Sequence, residues 1–387
     1  MAKVFVPKER SSGETRVAAT PETVKKLRKK GLEVWIEAGA GIKSHIPDSR
    51  FEDAGAKIGT DLSALWSEAD AALKVGPFTS EIPGMGKTEA AALKPGAVAV
   101  GLLDPYRQPE MVQSLASGGV TSLAMELVPR ITRAQPMDAL SSQANIAGYK
   151  AVILAAHRLG RYFPLLMTAA GTIPPARVVI MGAGVAGLQA IATAKRLGAV
   201  VEVSDIRPVV KEQVESLGGR FIELPLEESG EGAGGYAKEM GEEFLRRQRE
   251  ILLQHVSAAD VVITTAQVPG KKAPVLLTKD MVEAMRPGTV VVDLAAEQGG
   301  NCELSQAGED VYHNDILILG PVSIAATMPL DASRVYARNV FSLFELLIND
   351  GELNVDTGDE VIAGSLLTYA GEIKHQPIAD ELQGVVQ

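Results

Sequence analysis

Residues 177–205 leave few folds open. The apolar run Val178–Met181 reads as a strand buried on both faces, and it ends in Gly182-x-Gly184-x-x-Gly187. A helical pattern follows from Leu188 to Leu197, then a second apolar run, Ala199–Val203, that delivers an acid at Asp205. Strand, glycine turn, helix, strand and acid in this order make a βαβ unit suited to a dinucleotide. Gly182 permits the tight turn, with Ala183 and Val185 completing it around Gly184. Gly184 keeps a side chain out of the path of a pyrophosphate, and Gly187 lets helix and sheet pack closely. The diphosphate then meets free N–H groups at the positive end of the helix. A carboxylate at Asp205 suits the two hydroxyls of an adenosine ribose and repels a 2′-phosphate, which favours NAD over NADP. Arg207, just beyond Ile206, could accommodate that phosphate, but with Asp205 at the ribose position it is read as lying beside the adenine.

Composition narrows the function classes. A chain of 387 residues is long enough for two or three domains. A net charge of −10 and the lack of a basic, aromatic-studded patch argue against nucleic acid as a partner. The single cysteine, Cys302, excludes a disulfide framework and a cysteine-rich metal site, and it reads as an inert loop thiol. His45, His157, His255, His313 and His375 show no metal-ligand spacing, so no metal site is expected. No signal peptide and no membrane-length apolar window is visible, so a soluble, cytoplasmic chain is expected, reaching a membrane only through partners.

The chain repeats itself. Ala69–Val75 followed by Leu93-Lys-Pro-Gly-Ala-Val-Ala-Val-Gly-Leu-Leu103 matches Ala259–Thr265 followed by Met285-Arg-Pro-Gly-Thr-Val-Val-Val-Asp-Leu294. In both, an Ala-Asp-led strand precedes a helix, a Pro-Gly turn and another strand, as expected of two doubly wound units. The fold class is therefore α/β, with two Rossmann-like domains separated by a cleft, the cleft being the expected ligand site. The first domain is expected to be discontinuous, 1–140 plus 328–387, around a fingerprint domain at 141–327. Thr20-Pro21 predicts a helix start, and Ser333–Ile348 predicts one long helix that returns to the first unit.

Other segments carry candidate chemistry. Pro129–Ser142 is rich in hydrogen-bonding groups: Arg130 and Gln135 suit a pyrophosphate or a carboxamide, while Asp138 and Ser141 can share a helix face, or Asp138 can serve as a cap. Lys74 ends an apolar strand, either as a substrate ligand or as a lysine snorkelling at the rim, and it pairs in interest with Arg16. Glu227–Gly241 holds five glycines and Tyr236, the composition of a closing lid or of a plain surface insertion.

These motifs, with Glu14-Thr-Arg-Val-Ala-Ala-Thr-Pro21 and Val291-Val-Asp-Leu-Ala-Ala-Glu-Gln-Gly-Gly300, resemble the alanine dehydrogenase and nicotinamide nucleotide transhydrogenase superfamily over nearly the whole chain. Met125–Gln135, Pro174-Pro-Ala-Arg-Val178 and Gly234–Phe244 resemble in particular the NAD(H)-binding components of proton-translocating transhydrogenases. The resemblance implies NAD(H) on this chain and hydride transfer to NADP+ on a partner subunit, coupled to proton translocation in membrane-spanning subunits. It also implies a homodimer through the fingerprint domain, held at the inner membrane by its partners. Arg130, Gln135, Asp138 and Ser141 would contact the nicotinamide side and carry the reaction, with Ile131, Thr132 and Arg133 beside them. Asp205, Ile206 and Arg207 would contact the adenosine. The loop of Gly235 and Tyr236 would close over the nucleotide, bordered by Gln248 and Gln267. Alternatives are an alanine-dehydrogenase-like oxidoreductase and a non-catalytic NAD-binding regulator. In the dehydrogenase branch a histidine follows the strand matching Val98–Leu102, where this chain has Asp104, and the acid of the turn before Gln298-Gly-Gly is Glu297. Arg16 and Lys74 match that branch's substrate-carboxylate ligands.

Overall fold

The computed structural model describes residues 1–224, 242–268 and 270–384. The chain forms two compact units, residues 1–143 with 326–387 and residues 144–325. The boundary falls within one helix, Ala139–Arg158.

Among the described residues the first unit holds an eight-stranded sheet. Across it run Glu372–Ile373, Leu366–Tyr369, Thr121–Ala124, Val98–Gly101, Ala71–Leu73, Lys3–Val6, Glu33–Glu37 and Lys57–Gly59. The strands before Met125 are all parallel, while the two from the C-terminal segment add antiparallel at the Thr121–Ala124 edge. The second unit, among the described residues, holds a seven-stranded sheet: Arg220–Phe221, Val200–Ser204, Arg177–Met181, Val261–Thr264, Val290–Asp293, Ile316–Leu319 and Asp310–His313. Only its last strand is antiparallel. In both sheets the chain winds outward one way, then returns past its first strand and winds the other way. This doubly wound order puts a topological switch point between Lys3–Val6 and Ala71–Leu73, and another between Arg177–Met181 and Val261–Thr264.

The strands read as unbroken apolar runs because both faces are covered. Val178 and Ile180 enter one apolar layer of the second unit, and Val179 and Met181 enter the other. In the first unit Val4 and Val6 point to one layer and Phe5 to the opposite one. Each such fully buried side chain contributes about 1.5–3 kcal/mol.

The internal repeat has a shared structural device. Asp70 Oδ2 accepts the backbone N–H of Lys3 at 2.7 Å, and Asp260 Oδ2 accepts that of Arg177 at 2.8 Å. Each acid thus ties the start of its main sheet's first strand to the neighbouring strand, and each carries a cation, Lys94 or Arg161, at 2.7 Å. That use of the acid shortens the expected Ala69–Val75 strand to Ala71–Leu73.

The helix expected from Thr20 spans Pro21–Lys29 and has a reciprocal capping box between Thr20 and Thr23. The single long helix expected over Ser333–Ile348 is as long but starts and ends four residues earlier, Pro329–Phe344, and is followed by a 3-10 turn and a two-stranded hairpin, Ile348–Asn349 with Glu352–Leu353. Asp350 and Gly351, both left-handed, make its turn. Apolar spacing alone did not separate the helix end from the strand that follows. No helix among the described residues is long and apolar enough to cross a membrane.

Candidate functional site

The glycine turn sits at the switch point of the second unit. Gly182 has φ 105°, a left-handed conformation, and a Cβ there would lie 2.5 Å from Thr265 Oγ1. A Cβ on Gly187 would lie 1.9 Å from the Gly182 carbonyl oxygen, so the helix rests directly on the turn. Gly184 differs, because a Cβ there would meet nothing within 4 Å. It is the N-cap of the Val185–Arg196 helix, and no side chain caps that end. Unclaimed amides facing open space are what a pyrophosphate requires, so these residues fit a dinucleotide.

Asp205 lies directly after the neighbouring strand, Val200–Ser204. Its Oδ2 accepts the Ala183 N–H at 2.7 Å, which ties the acid to the turn. Arg207 folds back onto it, with Nε at 3.0 Å from Oδ1 and Nη2 at 2.9 Å from Oδ2. The guanidinium therefore pairs with Asp205, a partner that the sequence does not announce. Ile206 lies between them, half-buried. Gln267 is exposed and donates to the Leu294 carbonyl at 2.8 Å, at the end of the next strand. Gln248 is buried on the Glu242–Val256 helix. The loop 227–241, with Gly235 and Tyr236, lies outside the described residues.

Several supporting residues are not evident from sequence. The Thr265 hydroxyl donates to the Gly182 carbonyl at 3.1 Å and holds the turn from below. Asn301, fully buried, accepts the Ala266 N–H at 2.9 Å and donates to the Ala266 and Pro274 carbonyls at 2.8 Å. Asp293, also fully buried, gathers Thr264, Ala295, Cys302 and Ser305 at 2.6–3.0 Å. Gly148 lets its helix press against the fingerprint helix, since a Cβ there would lie 2.0 Å from the Ala186 carbonyl oxygen. A lone Gly inside a helical pattern was the available signal for that last one. Cys302 is buried, and burial pushes its thiol up to about 12, which makes it inert at neutral pH.

The first-unit candidates lie just before and on a 3-10 segment, Thr132–Met137, and at the start of the helix after it. Arg130, Thr132, Arg133 and Gln135 are exposed or half-exposed at the surface, and Ile131 is half-buried. Arg133 makes a bidentate pair with Asp359 at 2.6 and 2.9 Å. Asp138 is a cap: it accepts the Ser141 N–H at 2.8 Å and the Ser141 hydroxyl at 2.6 Å. The two residues therefore satisfy each other across one helical turn.

Lys74 and Arg16 are both buried and both already paired. Lys74 is fully buried rather than snorkelling at a rim. Its ammonium contacts Glu89, donates to the Pro77 carbonyl at 3.1 Å and lies 3.5 Å from Glu9. Burial pushes the Glu89 carboxyl up to about 7 although Lys74 pulls it down, and burial likewise raises Glu9. Arg16 forks onto Glu14 at 2.8 and 2.7 Å and donates to Gln143 at 2.8 Å. Burial works against the Glu14 anion, but Arg16 carries its carboxyl below the usual range. Asp104 takes φ 45° and donates its N–H to Glu126 at 2.5 Å. Glu126 Oε2 is buried without a hydrogen bond among the described residues, and burial raises this carboxyl to about 7. Among the described residues no cluster of His, Cys, Asp or Glu could hold a metal ion.

Two doubly wound units, one carrying an open glycine turn with an acid tied to it, define a Rossmann-type nicotinamide nucleotide-binding protein. Similarity to known proteins agrees. The family model for the alanine dehydrogenase/PNT N-terminal domain matches residues 5–147, and that for the C-terminal domain matches 151–376. The chain belongs to the alanine dehydrogenase/PNT family. It is 47% identical over 384 residues to the first part of the NAD(P) transhydrogenase alpha subunit of Rhodospirillum rubrum, covering 98% of this chain and 99% of that protein. A solved structure of the transhydrogenase from Sinorhizobium meliloti matches with a TM-score of 0.86 at 44% identity, covering 96% of this chain and 99% of that one. The alanine dehydrogenase of Mycolicibacterium smegmatis is more distant, 30% identical over 387 residues, covering 98% of this chain and 96% of that protein.

Proposed function

We propose that this chain is the NAD(H)-binding subunit of a proton-translocating transhydrogenase. It would present NADH for direct hydride transfer to NADP+ on a partner subunit, with proton translocation in membrane-spanning subunits at the inner membrane. The observation that carries this reading is the state of Lys74 and Arg16. The cations that match the dehydrogenase branch's substrate-carboxylate ligands are already engaged here by Glu89, Glu9 and Glu14. The position of that branch's histidine is Asp104. An amino-acid carboxylate has no free cation in this pair, whereas the dinucleotide turn is open. Transfer between two nicotinamides needs no general acid or base, only two rings held in contact with water excluded.

The residues assigned to NAD(H) are Gly182, Ala183, Gly184, Val185 and Gly187 for the pyrophosphate, and Asp205, Ile206 and Arg207 for the adenosine. Gln248, Gln267, Gly235 and Tyr236 are assigned to the border of the site. Arg130, Ile131, Thr132, Arg133 and Gln135, with the Asp138–Ser141 pair, are assigned to the nicotinamide side. That assignment draws on the family resemblance and on the exposed polar groups of the segment. A second copy of the chain is assigned to the hairpin Leu166–Thr168 and Gly171–Ile173, which leaves Leu165, Met167 and Ile173 exposed.

The test mixes the purified chain with an NADP(H)-binding transhydrogenase subunit and follows reduction of NADP+ by NADH. Expected are no transfer and no alanine-dependent NAD reduction by the chain alone, and transfer once the partner is added. Gln135→Asn should slow transfer at least ~10-fold more than it weakens NADH binding, because small displacements of a reacting ring cost rate steeply. Saturable alanine oxidation by the chain alone would overturn the proposal.

A further inference from the structure

The Asp205 carboxylate is fully subscribed within the chain. Oδ1 accepts the Arg207 backbone N–H at 2.9 Å and Arg207 Nε at 3.0 Å. Oδ2 accepts the Ala183 N–H at 2.7 Å and Arg207 Nη2 at 2.9 Å. A carboxylate offers about four acceptor directions. Two are held by backbone, one of them from the glycine turn itself. The other two are held by a single guanidinium, and the pair is largely withdrawn from water, at 6% and 16% side-chain exposure.

A vicinal diol and a guanidinium edge share one property: each offers two adjacent donors to one carboxylate. Ribose hydroxyls can reach Asp205 only through the directions that Arg207 occupies, because the backbone bonds are fixed by the turn. We infer that Arg207 is a stand-in for the adenosine ribose, displaced when the 2′,3′-diol docks, and that it thereby sets how strongly the site prefers NAD(H) over NADP(H). The inference rests on the proposed reading that adenosine binds at Asp205. A diol must evict the guanidinium, so Arg207 weakens NAD(H) binding. A 2′-phosphate has no proton for Asp205 and is repelled by it, and the same guanidinium is a cation that can turn to meet it. Arg207 therefore lowers affinity for the diol and supports the phosphate, although it does not touch the reacting ring.

The opposed signs give the test. The native chain and Arg207→Met are titrated calorimetrically with adenosine, adenosine 2′-monophosphate and nicotinamide mononucleotide. Adenosine is uncharged, so loss of a cation does not by itself alter its attraction. Met cannot donate to Asp205. Releasing one partly buried ion pair should tighten adenosine and NADH by about 3- to 10-fold. Adenosine 2′-monophosphate should weaken by at least ~3-fold. Nicotinamide mononucleotide should be unaffected. A purely structural role for Arg207 would weaken all three, and that result, or unchanged adenosine binding, overturns the inference. If neither chain binds adenosine or NADH, the nucleotide site itself is wrong and this inference falls with it. In the native chain the Arg207 Nε–H resonance should move and exchange faster on saturation with adenosine. A resonance that stays protected at saturation would show that the guanidinium never leaves.

Discussion

Gly184 and Gly187 stand one helical turn apart, and replacing each by alanine should give opposite results. At Gly184 the backbone, φ −76° and ψ −169°, suits any residue, and a methyl would meet nothing within 4 Å. Alanine there gains about 0.4–1 kcal/mol by restricting the unfolded chain. It loses about as much as an N-cap, where glycine is preferred to alanine. The net change should stay within ~1 kcal/mol, or roughly 2–4 °C in melting temperature for a unit of this size. The methyl, however, stands in front of the helix amides and keeps a pyrophosphate from them. Losing one charge-assisted hydrogen bond costs about 1.5–3 kcal/mol, or roughly 10- to 100-fold in NADH affinity. Gly187→Ala puts its methyl 1.9 Å from the Gly182 carbonyl oxygen, so helix and turn must part by about 1.5 Å to reach ordinary contact. Overpacking of that kind costs about 1–3 kcal/mol, roughly 2–12 °C. Thermal melts followed by circular dichroism and NADH fluorescence titrations read both quantities. Native NADH affinity in Gly184→Ala, or a melting loss equal to that of Gly187→Ala, would refute the reasoning.

Glu126→Gln should change how stability depends on pH. The folded carboxyl titrates near 7 and an unfolded one near 4.5, so the folded state holds the extra proton. Its contribution is fully present below the unfolded value and is lost as pH rises to and through about 7, a difference on the order of 3 kcal/mol. The variant, which cannot ionise, should lose less stability between about pH 5 and pH 8 in urea titrations. Lys74→Met should destabilise by about 3–5 kcal/mol at about pH 8, because it leaves Glu9 and Glu89 buried without their cation, and by less at about pH 5, below the value of about 7 to which burial raises Glu89. An equal loss at both values would count against the buried network. Asp205→Ala should narrow the preference for NADH over NADPH by about 10-fold in paired titrations, since it removes both the diol's acceptor and the phosphate's repulsion.

What the sequence made legible follows the range of its interactions. The turn at 182–187, the Thr20 capping box and the two Ala-Asp-led strands are written in adjacent residues, and local sterics decide them. The charge partners of Lys74 and Arg16 were not legible. Glu89 reaches Lys74 from the start of the short helix Glu89–Ala92 and Glu9 from a loop, and only the folded sheet brings them together. The pairing of Arg207 with Asp205 was not legible either, because one cation beside one acid can face outward or face the acid. The edge strands Leu366–Tyr369 and Glu372–Ile373 are short and follow a six-residue helix, Glu360–Ser365, so no period of either kind has room to declare itself.

The antiparallel edge of the first sheet has a consequence for how the chain is made. Ser122 and Thr368 hydrogen-bond at 2.7 Å across 246 residues of sequence, and the whole second unit lies between them in the chain. During synthesis the second unit leaves the ribosome complete while the first still lacks the strands that cover its Thr121–Ala124 edge. That open edge must wait through about ten seconds or more of elongation at ordinary rates, exposed to pairing with any extended chain nearby. A nascent chain halted before residue 366 should therefore expose an aggregation-prone edge beside a second unit that already protects its own amides from exchange.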